Sequence, residues 1–139
     1  MKIAVDFDGT IVEHRYPEIG KEIMFAFQTL RALQDQGHQL ILWTYRSGRE
    51  LEVAVEYCRR NGLEFYAVNS SFPEEDFDED YDSRKIDVDL FIDDRNIGGL
   101  PPWGEIYQMI NPHEKPSLEE EIKSLTQNKR PLFRKRVGK

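Results

Sequence analysis

Disulfides, membrane spans and a positively charged surface are all missing from this sequence of 139 residues. Its one cysteine, Cys58, has no partner within the chain, which fits a reducing compartment. Cys58 falls on the apolar side of a helical pattern, so it reads as a buried thiol rather than a reactive one. No apolar run approaches the roughly 20 residues that a membrane helix needs. Asp6 and Asp8 interrupt the apolar run near the start, so no N-terminal signal is expected and the expected location is cytoplasmic. Basic residues are outnumbered by acidic ones, 19 to 26, for a net charge of −7. That balance argues against nucleic acid or an anionic membrane as a partner of the whole surface. The chain is long enough for one domain with a real core and too short for two ordinary ones, and it shows no internal repeat.

What is present is an alternation of short apolar runs with helical patterns. Residues 2–7, 39–43, 64–68 and 89–92 read as four strands, nearly continuous in apolar character, as in a parallel sheet covered on both faces. Ile19, Ile23, Phe27, Leu30 and Leu33 recur at helical spacing before Gly37, and Leu51, Ala54, Val55 and Cys58 do so before Asn61-Gly62. The expected fold class is therefore α/β, with a central parallel sheet in a three-layer, Rossmann-like arrangement. Residues 74–82, seven of nine acidic, read as a solvated loop. A short helix is expected around 105–110 after Pro101-Pro102. Ser117 and Glu120 form a capping box before a last amphipathic helix with Leu118, Ile122 and Leu125. The expected division is a core over 1–112 and a C-terminal helix with a basic tail over 113–139, the tail reading as a solvated end.

The polar residues gather at the carboxyl ends of the strands. Asp6 and Asp8 finish the first, Thr44 follows the second, and Asp93-Asp94 finish the fourth. On a strand, Asp6 and Asp8 would point the same way with Phe7 opposite. Ligands of open parallel sheets bind at that end, where the strand order reverses. If strands one and four are neighbours, four carboxylates converge. Like charges that close need a partner, and an all-oxygen acidic site suits Mg²⁺.

The set Asp6-Phe7-Asp8-Gly9-Thr10, Thr44, Lys85 and Asp93-Asp94, in that order, resembles the four motifs of the haloacid dehalogenase superfamily across residues 1 to about 110. The resemblance implies an Mg²⁺-dependent phosphatase that hydrolyses a phosphate monoester. Asp6 would be the nucleophile that forms an aspartyl-phosphate, and Asp8 the general acid and then base. Mg²⁺ would be held by Asp6, the Asp8 backbone carbonyl, and Asp93 and Asp94, with Asp94 the direct ligand. Thr44 and Lys85 would bind and neutralise the phosphate, and Gly9 would let the loop turn without a Cβ. Arg46 joins the phosphate-binding set by its place two residues after Thr44, although a surface arginine is the plainer expectation. His14 is expected to be an exposed loop residue.

The spacing leaves no room for a folded lid. Only 33 residues separate Thr10 from Thr44, and a helix and a strand consume most of them. The chain therefore resembles the capless members, with the acidic loop as the candidate for a partial cover. The substrate alcohol and the oligomeric state are not encoded in these motifs. Two other classes fit parts of the pattern. A phospho-receiver domain also forms an aspartyl-phosphate on a parallel sheet, but its acidic pair comes first. A non-catalytic module could bind an anion or nucleic acid through the basic tail.

Overall fold

The computed structural model describes residues 1–114; the expected capping box, last helix and basic tail lie outside the described residues. The chain divides into two compact units, Met1–Tyr107 and Gln108–Lys139, and the functional residues belong to the first.

The elements follow one another as β1 (Lys2–Val5), α1 (Ala26–Asp35), β2 (Gln39–Leu42), α2 (Gly48–Arg60), β3 (Ala67–Val68), β4 (Leu90–Ile92) and α3 (Trp103–Ile110). All strand pairings are parallel, in the order β3-β2-β1-β4. The chain builds outward from β1 to β3 and then crosses back to add β4 on the other side of β1. The strand order thus reverses between β1 and β4, where the apolar-run pattern predicts the ligand end.

Successive residues Ile3, Ala4 and Val5 are all buried, as are Leu40, Ile41 and Leu42, so both faces of the central strands are covered. One face carries Ala4, Ile41 and Ala67, packed with Ile86 and the half-buried Trp43, Tyr66, Val88 and Phe91. Helical side chains that are buried include Phe27, Leu30 and Leu33 of α1 and Ala54 and Cys58 of α2. Burial pushes the Cys58 thiol up to about 12, as expected of an inert core sulfur. Among the described residues, no helix is long and apolar enough to cross a membrane.

α1 and β3 depart most from their sequence patterns. Ile19 and Ile23 have helical spacing to Phe27, yet α1 starts only at Ala26, after Phe25 in a left-handed conformation (φ 67°). The preceding residues find other partners: Glu13 N donates to Lys21 O, Ile23 N donates to Ile11 O, and Val12 bridges Glu22 antiparallel. These bonds tie the chain back onto the loop after β1. β3 keeps only two of its five expected residues, although Tyr66 N and Asn69 N still donate to Leu40 O and Leu42 O of β2.

Candidate functional site

β1 ends at Val5, and the ladder runs one residue further through Asp6 N, which donates to Ile92 O. The chain then turns tightly. Phe7 O accepts from the backbone of Thr10, Ile11 and Val12, and Gly9 sits at φ +84°. The alternation of a strand therefore stops before Asp8. Asp6 stays at the sheet end with Asp93 and Asp94, and one oxygen from each lies within 4.8 Å of the others. The convergence of four carboxylates reduces to three, because the Asp8 side chain leaves for a different partner.

Thr10 binds this trio together. Its hydroxyl donates to Asp6 Oδ2 (2.9 Å), stands 3.3 Å from Asp94 Oδ1, and accepts from the Asp94 backbone N–H (3.0 Å). The buried indole of Trp103 donates to Thr10 O, fixing the turn from α3. Asp93 Oδ1 accepts from the Arg95 backbone N–H. Burial, a hydrogen bond shared with Asp94 and the charge of Asp93 lift the Asp6 carboxyl from 3.8 to about 7, outweighing the opposite pull of Thr10 and the Phe7 backbone. An all-oxygen trio whose crowding favours the protonated form of Asp6 fits a hard divalent cation, which relieves the same repulsion.

That shift has a sign in stability. Between about pH 4 and pH 7 the folded protein holds a proton on Asp6 that the unfolded chain releases. The contribution is fully present below pH 4 and is lost as pH rises through 7. In a chelator, the unfolding temperature of the wild type is expected to fall between pH 5.5 and 8 relative to that of Asp6→Asn. Parallel curves for the two proteins across this window would contradict the crowding.

Gly9 is required twice over. A Cβ there would collide with the Asp94 carboxylate, and the positive φ strains any other residue. Gly9→Ala is expected to cost about 1–2 kcal/mol from the left-handed backbone alone. It should also blunt any rise in unfolding temperature on adding Mg²⁺, read by thermal melts with and without the ion. A wild-type response in the variant would remove Gly9 from the site.

Asp8 pairs with Arg46, 38 residues away. Nε and Nη2 of Arg46 donate to the two Asp8 oxygens, each at 2.8 Å. The other guanidinium hydrogens go to Pro17 O, Glu50 O and Glu18 O. The guanidinium also lies between the rings of Phe7 and Tyr16, 5.1 and 5.2 Å from their centroids. Arg46 is 1% exposed. This corrects both expectations for it. It is no surface arginine, and with all five donors engaged inside the protein none is left for a phosphoryl oxygen.

Asp6, Asp8, Thr44 and Asp93 line one open cavity of about 610 Å³, together with His14, Tyr16, Trp43, Tyr45 and Arg95. Thr44 N donates to Asn69 Oδ1 (2.8 Å), while Thr44 Oγ1 accepts from Arg46 N (3.2 Å) and keeps its own proton for another partner. Lys85 is exposed and is absent from this lining, as is the whole acidic loop 74–82. From the loop after β1, His14 and Tyr16 line the cavity. His14 is exposed as expected, and it also faces the cavity.

Sequence reasoning missed Thr10 as a carboxylate binder, Asn69 as the anchor of Thr44, and Arg95 as a cation facing the cavity. Asn69 carries one signal in its polar side chain at a strand end, where the backbone is left-handed (φ 51°). Arg95 directly follows the acidic pair.

No protein-family profile and no curated protein matches the chain. Among solved structures, a conserved protein from Bacteroides thetaiotaomicron is 59% identical, with a TM-score of 0.77 over 83% of this chain and 93% of that one. The chain belongs to the same family as that Bacteroides protein.

Proposed function

We propose that this chain is a capless, Mg²⁺-dependent phosphomonoester hydrolase of haloacid dehalogenase type, working through an aspartyl-phosphate on Asp6. One observation carries the reading: carboxylates from the ends of two adjacent parallel strands meet within 4.8 Å beside an open cavity, at the point where the strand order reverses. The donors Asp6, Asp93 and Asp94 would hold the ion, with Asp94 the direct ligand. When bound, Mg²⁺ offsets negative charge on the carboxylates and the phosphoryl oxygens.

The residues then take distinct parts. Thr10 holds Asp6 by one oxygen. An Asp6 oxygen attacks phosphorus, forming an O–P bond as the bond to the substrate alcohol breaks. Asp8, also on the cavity wall, would take up a proton from solvent on the oxygen that leaves Arg46 and pass it to the departing oxygen. Water then attacks phosphorus, the Asp6 ester bond breaks, and the water proton goes to Asp8. Each transfer requires Asp8 to open one of its two bonds to Arg46, so Arg46 sets where that carboxylate rests. The Thr44 hydroxyl donates to a phosphoryl oxygen from a loop end held by Asn69. Arg95 supplies the positive charge on the wall, a part that the superfamily resemblance gives to Lys85.

The test is phosphate release from a broad panel of monoesters with Mg²⁺ and with chelator. Release from at least one ester that depends on the ion is the expected result. Indifference to the ion, or silence across the panel, overturns the reading.

A further inference from the structure

Four of the nine residues that line the cavity are rings: His14, Tyr16, Trp43 and Tyr45. None has a part in the phosphoryl chemistry above. We infer that the substrate alcohol carries a flat aromatic ring, and that the cavity is built for a nucleoside monophosphate; this rests on the phosphatase reading and names its substrate class.

The first argument is placement. Trp43 and Tyr45 stand on either side of Thr44 in the chain and share the cavity lining with it. Tyr45 is 93% exposed, so its ring is open to a ligand. Trp43 is held from below by the cluster around Ala4 and Ile41. Tyr16 has one ring face against the Arg46 guanidinium and is otherwise partly open. Two of these rings are thus positioned before any ligand arrives, which lowers the entropy cost of stacking on them.

The second argument is size and edge chemistry. A volume of about 610 Å³ lies within the range of small-molecule sites. His14 offers a hydrogen-bonding group among the rings, which suits the polar edge of a base better than the bare edge of a phenyl group.

The test compares kcat/KM with Mg²⁺ for nucleoside 5′-monophosphates, ribose 5-phosphate and phenyl phosphate, in the full-length wild type and in Tyr45→Ala. Stacking on one ring predicts a preference for nucleotides over ribose 5-phosphate of roughly 10- to 100-fold, and a smaller ratio in Tyr45→Ala. Equal turnover of nucleotide and ribose 5-phosphate overturns the ring inference while leaving the phosphatase intact. Phenyl phosphate ahead of every nucleotide assigns the rings to an aryl ester and overturns the nucleotide. If nothing is hydrolysed, the phosphatase reading fails, and fluorescence of Trp43 decides the inference alone. Quenching by adenosine monophosphate but not by ribose 5-phosphate, lost in Trp43→Phe, supports it; no quenching overturns it.

Discussion

Arg46→Ala is expected to lower folding stability by about 3–5 kcal/mol, the range for breaking a buried ion pair by removing one partner. The arginine is fully buried and makes two bonds to Asp8 and three to carbonyls of Pro17, Glu18 and Glu50. Its loss leaves Asp8, whose side chain is only 12% exposed, without its cation, and three carbonyls without their donor. It also opens a gap between the Phe7 and Tyr16 rings. Arg46→Lys keeps the charge but not the planar fork, so it should fall between the alanine variant and the wild type. Urea unfolding reads this as a lower midpoint at unchanged slope. A midpoint for Arg46→Ala within about 0.5 kcal/mol of the wild type, the usual range for surface substitutions, would show that the buried pair contributes little.

Asp6→Asn is expected to abolish phosphate release, by about 10³-fold or more, as does removal of a catalytic nucleophile elsewhere. The amide has the size of the carboxylate but no oxygen able to form the acyl phosphate. Uncatalysed hydrolysis of monoesters is slow enough that little activity remains without that step. The opposite sign in stability makes the result specific. In a chelator at pH 8 the variant should unfold at a temperature no lower than the wild type, because it removes one of three crowded carboxylates. Lost turnover in a protein of equal or greater stability isolates the chemistry from folding. Retained turnover would take Asp6 out of its proposed part.

Much of the architecture was legible because it is local. Runs such as Ile3–Val5 and Leu40–Leu42 are apolar at every position, which marks strands covered on both faces, and the polar residues that follow them can be read without knowing the neighbours. Helix α1 was legible in type but not in its start. The period that includes Ile19 and Ile23 says nothing of the Ile11 carbonyl that accepts from Ile23 N, or of the Glu13 N–H that donates to Lys21 O, and these draw the segment into a different pairing. Asp8 shows the same limit, since alternation places it beside Asp6 only while the strand lasts, and the turn on Phe7 O ends it.

The succession of strands, helices and motifs and the acidic ends of β1 and β4 are written along the chain, because each depends on residues close in sequence. Which carboxylates meet, which one is claimed by a buried arginine, and which rings wall the cavity were decided by folding. Those contacts join residues tens of positions apart, and their energies come from burial and charge pairing that exist only once the sheet has closed around them.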